Sequence, residues 1–459
     1  MTKPAQTAKA RKAVSPTVSP ARLAAFRILQ RVETDGAFAS VLLAGQAANL
    51  RQTDRALTHE LVMGVLRNQR WLDCLIQHYG QRDPQRLDLP VRLALRLGLY
   101  QLRFLSRIPA SAAVNESVKL VSSARVRSAE PFANAVLRRA TREPEYDPAA
   151  ALSDPVARLA VETSHPSWLI DRWVGRWGLQ AASDFARANL EAPNATFRIV
   201  NPRANGGMEA TILETLRASG ATVLPSAIVP AGWRVTGATG LLPELARAGH
   251  IYLQDEASQL VAHVLDARSG DRVLDLCAAP GSKATHIADL TGGESILVAG
   301  DLHGHRLRTV VSTAAAQHLA NIHCVIMDAS EALPFAEANF DRVLVDAPCT
   351  GTGTLRRNPE IRWRISPGDI NDLADRQIRI LLQAARMVKR GGRLVYSTCS
   401  IEPEENEAVI DKLMEAITGL TPLALSVNPS LITSSGAARI WPQRDGADGF
   451  FIAAFERED

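Results

Sequence analysis

The chain has 459 residues, 46% hydrophobic and 22% charged, with a formal net charge of +4 and five cysteines. That length exceeds one ordinary core and implies about two or three domains. The composition is that of a soluble globular protein, and no apolar run approaches the ~20 residues that a membrane-spanning helix needs. The cysteines (Cys74, Cys277, Cys324, Cys349, Cys399) are odd in number, widely spread and never spaced C-x-x-C. Neither a disulfide framework nor a zinc ribbon is therefore expected, no metal is expected, and a reducing, cytoplasmic compartment is the expectation. The net charge hides an asymmetry. Residues 1–142 hold 23 Lys+Arg against 9 Asp+Glu, and the remainder 29 against 39. Only four of those 23 cations are lysines. Guanidinium groups bind phosphates in a bidentate fork, so the first third is expected to meet nucleic acid. The competing reading is that these arginines only solvate helix faces.

Residues 1–19 form a basic tail (Lys3, Lys9, Arg11, Lys12) without the apolar centre of a signal peptide, and are expected to be disordered. From Pro20 to about residue 145 the periodicity is helical: Trp71, Leu72, Leu75, Ile76 and Tyr79 share one face, as do Leu95, Leu99 and Leu102. Gly80, Pro84, Pro90 and Pro109 fall between segments, which predicts an all-helical bundle. Arg67, Arg70, Arg92, Arg96, Arg103, Arg138 and Arg139 are expected on its outer faces, and Asn115 and Asn134 at helix starts. Residues 146–238 comprise a proline-punctuated linker and a small α+β, RRM-like module. Trp168, Trp173 and Trp177 are expected on a helix ending near Gly178, as packing anchors rather than base-stacking platforms. Strands are predicted at 196–200 and 221–224 and a helix at 209–218, with Arg198 and Arg203 as weak candidates for RNA contact.

From residue 239 to 459, strands and helices alternate. Strands are predicted at 272–276, 295–300, 322–327, 341–346 and 393–397, and helices at 255–266, 283–290, 304–319, 371–389 and 404–418. This pattern means a doubly wound, Rossmann-like α/β sheet. The ending Asp448 to Phe455 reads as a turn and a final antiparallel strand at the sheet edge.

Three predicted strands run into turns of small residues: Cys277-Ala278-Ala279-Pro280-Gly281-Ser282-Lys283, Asp346-Ala347-Pro348-Cys349-Thr350-Gly351 and Ser397-Thr398-Cys399-Ser400. The first lets backbone approach a ligand closely and opens a helix whose start favours an anion. It is not G-x-G-x-x-G, so a ligand with one carboxylate fits better than a dinucleotide, with Lys283 as a cationic partner. Asp301 ends the next strand, where an acidic residue accepts from ribose hydroxyls, and Asp328 ends the third, near a base amino group. Singly, each is better read as a helix cap. Together they point to an adenosine-bearing amino acid, S-adenosylmethionine. Cys324 and Cys74 have apolar neighbours and read as structural, and Cys277 as a packing residue. Cys349 and Cys399 both leave strands into the expected crevice and read as a catalytic pair.

These motifs resemble those of the RNA cytosine-5 methyltransferases, and within them the RsmB (Sun/Fmu) ribosomal RNA enzymes. The likeness extends to Gln254-Asp255-Glu256-Ala257-Ser258, Thr352-Gly353, Arg356-Arg357-Asn358-Pro359-Glu360-Ile361 and Pro403-Glu404-Glu405-Asn406-Glu407, and covers residues 20–459. It implies a NusB-like RNA-binding domain at 20–145, an extra α+β module at 146–238 and a methyltransferase domain at 239–459. It implies Cys399 as the nucleophile on cytosine C6, Asp346 as a hydrogen-bonding partner of the base, and Cys349 as the group that helps release the product. It implies S-adenosylmethionine held by Cys277 to Lys283, Asp301, Asp328 and Asp346. The expected partner is small-subunit (16S) ribosomal RNA, with no DNA and no membrane, and the expected state is a monomer. A transfer RNA enzyme and a non-catalytic ribosome-assembly factor are the alternatives. One departure stands out: the family usually has Gly-Gly-Lys where this chain has Gly281-Ser282-Lys283. His303 and His305 near the ribose site have no assigned role.

Overall fold

The computed structural model describes residues 18–46, 50–200 and 208–458. The charged residues of the basic tail, and Arg203, lie outside them. The chain forms two compact units, residues 1–170 and 171–459.

The first unit is helical: α1 (Pro20–Thr34), α2 (Ala39–Gln46), α3 (Gln52–Arg67), α4 (Gln69–Gly80), α5 (Leu89–Phe104), α6 (Ala110–Ser123), α7 (Glu130–Arg142) and α8 (Pro155–Glu162). Leu72, Leu75, Ile76, Leu95 and Leu99 are wholly buried in its core, on the faces that the periodicity predicts, as are Leu61 and Leu137, while Trp71 and Leu102 of the predicted faces are half-buried against it. Pro90 and Pro109 stand at helix starts, where a missing N–H costs nothing. Asn115 and Asn134, expected at helix starts, lie inside α6 and α7 instead. The arginines also depart from expectation. Arg96 is 1% exposed and forks onto Asp73 with two 2.7 Å bonds, and it also pairs with Glu33. Arg92 pairs with Glu33 at 2.9 Å, Arg139 with Glu143 at 2.9 Å, and Arg70 donates to the His165 carbonyl at 2.7 Å. Arg103 donates to the Tyr79 hydroxyl and to the Glu143 carbonyl. Arg67 is half-buried. Of the seven arginines expected outside, Arg138 alone is exposed. Most of these guanidinium groups fasten helices together, because a long stem can carry the charge inward to a carboxylate from an outward-facing position.

Next in the chain, α9 (Ser167–Ala188) is interrupted at Gly178 (φ 78°, ψ 165°). Trp173 is fully buried, edge-on to Phe185 with centroids 4.7 Å apart, and is the packing anchor that the sequence predicts. A small sheet is built from β1 (Ala195–Ile199), α10 (Met208–Ala218), β2 (Ala221–Pro225), β3 (Gly232–Gly237), α11 (Leu242–Arg247) and β4 (Ile251–Leu253). Its order is β2-β3-β1-β4, all antiparallel, the arrangement of a βαββαβ fold. Sequence patterning marks β1, α10 and β2 but not β3 or β4. β4 has three residues, and the two buried positions of β3 are three apart, so neither shows a period-two alternation. β4 falls beyond residue 239 in the chain yet pairs with β1. Arg198 does not face solvent. It is 2% exposed and donates to Asp289 Oδ2 (2.9 Å), Gln317 Oε1 (2.9 Å) and Thr285 Oγ1 (3.1 Å), so it joins β1 to the large sheet's helices rather than to RNA.

The large sheet is built from α12 (Glu256–Leu265), β5 (Arg272–Asp275), α13 (Ser282–Leu290), β6 (Ile296–Asp301), α14 (Gly304–Ala316), β7 (Ile322–Ile326), β8 (Phe340–Asp346), α15 (Pro367–Met387), β9 (Val388–Thr398), α16 (Glu407–Ala416), β10 (Leu420–Pro422), β11 (Ala438–Ile440) and β12 (Phe450–Arg457). The order is β10-β12-β9-β8-β5-β6-β7, with β11 also on β12. β5 to β9 are parallel. The connections run outward in opposite directions from β5 and β8, so the sheet has its switch point between them. β12 is antiparallel to β9, as expected, but it is not an edge strand: β10 and β11 cover its outer side. Phe450 to Phe455 are all buried, the pattern of a strand covered on both faces. Cys324, expected to be buried, is half-buried on the edge strand β7.

The Arg96 cluster generates a prediction. Arg96→Met should destabilise the protein by about 3 kcal/mol, because Asp73 loses the guanidinium that neutralises it and Glu33 keeps only Arg92. Urea unfolding monitored by circular dichroism measures it, and an unchanged midpoint would refute the assignment.

Candidate active site

A cavity of about 250 Å³ opens at the carboxyl ends of the parallel strands. The β5 end contributes Leu276, Cys277 and Ala279. The β6 end contributes Asp301, Leu302, His303 and Arg306. Met327 and Ala329 come after β7, Asp346 to Cys349 end β8, and Cys399 comes after β9. Arg376 and Ile380 of α15 close one side. The location is the switch point, where flanking loops diverge and leave a crevice.

The turn after β5 is held from both sides. Ala278 N donates to the Gly300 carbonyl (2.8 Å), Gly281 N to the Ala278 carbonyl (2.7 Å), and Arg306 to the Ala279 carbonyl (3.0 Å). Gly281 has φ 105°, and a Cβ there would sit 3.1 Å from Val310 Cα, so only glycine lets the turn lie against α14. Ser282 is half-buried at the first position of α13 and is not part of the cavity wall.

The acidic residues separate. Asp301 is 4% exposed; its Oδ1 accepts from His303 N (2.9 Å) and its Oδ2 faces Arg306 at 3.3 Å. His303 lines the cavity and stacks on His305. Asp328 accepts from the hydroxyl and amide of Ser330, which lower its pKa, while its neighbours Met327 and Ala329 form the wall. Asp275 is fully buried. Burial first, then Asp346, pushes its pKa up to about 7, with Lys283 and the Cys277 amide opposing.

Lys283 does not line the cavity. Its ammonium donates to Asp346 Oδ2 at 2.6 Å and lies over the Phe450 ring. Burial alone would lower its pKa, but Asp346, then Cys399 and Asp275, outweigh it and raise it. Asp346 Oδ1 accepts from Ser397 Oγ at 2.8 Å, so its carboxylate is fixed at both oxygens while it lines the cavity.

The two half-buried cysteines meet, with Cys349 Sγ and Cys399 Sγ 3.3 Å apart. The hydrogen bond with Cys399 first, then burial, then the charges of Cys399, Glu405 and Asp346, raise the Cys349 pKa well above its usual value. Either sulfur can be the donor in this contact. Cys277 also lines the cavity, and burial, then Asp275, raises its pKa strongly, which suits a packing role.

The residues fit an adenosine-bearing amino acid. Cys277 and Ala279 of the turn after β5, an acidic group at Asp301 and apolar walls at Leu302, Met327 and Ile380 form one cradle, while Ala278, Pro280 and Gly281 shape the turn from outside the wall. Sequence reasoning missed Arg376 and Arg306. Neither belongs to a turn motif, and only the packing of α15 and α14 brings them to the wall.

Comparisons with known proteins agree with this architecture. A family model described as 16S rRNA methyltransferase RsmB/F matches residues 262–456. One described as NusB family matches 19–142, and the RsmF/B-like ferredoxin-like domain matches 165–241. The "Probable ribosomal RNA small subunit methyltransferase B" of Bacillus subtilis is 35% identical over 446 residues, covering 95% of this chain and 98% of its own. The "Ribosomal RNA small subunit methyltransferase B" of Pseudomonas putida is 34% identical, covering 94% and 97%. The solved structure "Crystal Structure of PH0851" superposes with a TM-score of 0.83 at 27% identity, covering 96% of this chain and 100% of its own. NSun6 from Pyrococcus horikoshii with SFG shares the fold at TM-score 0.56 and 20% identity, over 63% and 97%. The helical unit is thus NusB-like, the small module ferredoxin-like and the large sheet Rossmann-like.

A Cβ at Gly353 would lie 2.1 Å from the Gly449 carbonyl oxygen and 2.8 Å from the Cys399 carbonyl oxygen. Gly353→Ala should therefore cost about 2 kcal/mol or more of stability, read by thermal unfolding; a neutral variant would refute the close packing. A second prediction concerns pH. Asp275 holds its proton up to about pH 7 when folded, against 3.8 for an ordinary aspartate. Its contribution to stability is complete below about pH 4 and is lost as pH rises through about 7. Asp275→Asn stays neutral, so its stability relative to the parent should improve by about 2–4 kcal/mol between pH 4 and pH 8. Parallel pH profiles of stability would refute this.

Proposed function

Because the chain belongs to the 16S rRNA methyltransferase RsmB/F family, we propose that it methylates C5 of one cytosine in small-subunit ribosomal RNA, through a transient bond between Cys399 Sγ and C6. The observation that carries this reading is the 3.3 Å contact of two thiols on one cavity with Asp346. Cys277, Ala279 and Asp301 would hold S-adenosylmethionine, which would supply the electrophilic methyl group. Cytosine C5 is too weak a nucleophile to take it unaided. Addition of Cys399 to C6 makes C5 enamine-like. The target base must leave its stack to reach the sulfur.

Asp346 hydrogen-bonds the base near N3, where charge develops, and Lys283 and Ser397 keep that carboxylate oriented. Cys399 is the nucleophile, and its sulfur, together with burial, raises the pKa of Cys349 beside it. Once Cys399 is bonded to carbon, the sulfur that suppresses ionisation of Cys349 no longer does so. Cys349 then assists loss of the C5 proton and release of Cys399. Exposed arginines of the helical unit, such as Arg55, Arg107, Arg125, Arg127 and Arg138, supply the phosphate contacts. A transfer RNA target is the other outcome that bisulfite sequencing of total RNA, with and without the protein, distinguishes.

Cys399→Ala should abolish methyl transfer. Cys349→Ala should accumulate a covalent protein–RNA adduct, seen as a heat-stable, slower-migrating band on a denaturing gel. Normal turnover by Cys349→Ala would overturn the division of roles.

A further inference from the structure

Two strands that end side by side do not fix the paths of the turns that leave them. The β8–β9 ladder closes at Asp346↔Ser397, with Ala347 N donating to the Ser397 carbonyl at 2.9 Å. Cys349 and Cys399 lie beyond that point, on turns. Something other than the sheet holds their sulfurs together.

We propose that Glu405, a fully buried carboxylate outside the cavity wall, is the positioning residue that sets the separation of the two reacting sulfurs. It binds the residue immediately after each cysteine. Its Oε1 accepts from Thr350 N at 2.8 Å and from Gln377 Nε2 at 3.0 Å. Its Oε2 accepts from Thr350 Oγ1 at 2.5 Å and from Ser400 Oγ. Four donors fill the four lone-pair sites of a carboxylate. Thr350 Oγ1 and Ser400 Oγ are themselves 3.2 Å apart, so one group bridges both turns. The clamp is braced from behind: Tyr396 donates to the Glu405 carbonyl at 2.6 Å, and Gln377 also holds the Pro348 carbonyl at 2.9 Å. Glu405 acts on the sulfurs only through Thr350 and Ser400.

A glutamine in this place would turn an NH₂ group toward donors and splay the turns. This inference rests on Cys349 and Cys399 being the reacting pair, so the test includes a measurement that needs no RNA. Phenylarsine oxide bridges two thiols, with loss of water, only when their sulfurs lie close together. The quantity read is the capture that Cys399→Ala removes. Glu405→Gln should lose most of that capture. It should also lower kcat about 100-fold, the usual effect of a misplacement near 1 Å, with KM for S-adenosylmethionine within about twofold. Thr350→Val keeps the backbone bond and deletes the hydroxyl with its contacts to Glu405 and Ser400. It should lower kcat about tenfold, and it decides the matter if Glu405→Gln does not fold. Parental capture and kcat in both variants would overturn the proposal, as would a raised KM with unchanged kcat. Capture lost in Glu405→Gln from a parent that fails to methylate ribosomal RNA would uphold the clamp and sink the assignment of substrate.

Discussion

The site depends on the parallel, in-register pairing of β8 with β9. Val345 lies opposite Tyr396, and Asp346 opposite Ser397. Neighbouring strands run about 4.8 Å apart, so two turns that leave them at matching heights start close enough for their side chains to touch. The sulfur contact, the Ser397–Asp346 bond and the Lys283–Asp346 pair all depend on that pairing. A slip of one residue would turn Asp346 to the other face of the sheet and dissolve all three. The largely buried strands on both sides, β5 and β12, hold that register.

A second constraint is the concentration of carboxylates at one end of the sheet. Asp275, Asp301 and Asp346 end three neighbouring strands. Like charges this close cannot all ionise without help. The molecule resolves the conflict by different means at each. Lys283 neutralises Asp346, Arg306 faces Asp301, and Asp275 responds by holding its proton to about pH 7. The same logic operates behind the turn after Cys349. There Arg356 and Arg357 each bond Asp448 at 2.8 Å, and Arg357 bonds Asp255 at 2.8 Å. Those pairs tie together three motifs that are far apart in the chain, and they hold Gly449 where its amide donates to the Gly353 carbonyl at 2.8 Å.

The arginines of the helical unit divide by depth. Those that reach a carboxylate or a carbonyl stitch helix to helix, as Arg96, Arg103 and Arg139 do. Those on loops and short turns stay in solvent, as Arg107, Arg125 and Arg127 do. Charge excess alone does not tell one group from the other. A guanidinium already committed to a carboxylate is a poor phosphate ligand, so the surface offered to RNA is smaller than the composition implies.

Periodic and local features were legible in the chain without its fold. The alternation of β-branched runs with helical stretches announced the Rossmann-like sheet, because each element carries its own hydrophobic period. Small-residue turns after three strands marked the crevice, since such turns end strands that open onto ligands. The cysteines at 349 and 399 stood out because both lie in those turns. Folding decided the rest. That β12 is an interior strand, that Arg198 and Arg96 are buried, and that Lys283 binds Asp346 are facts about partners distant in the chain. So is the bridge from Thr350 through Glu405 to Ser400. Periodicity reports which side of an element is apolar. It carries no record of which charged group on another element waits there, and that pairing is what assigns each polar residue its work.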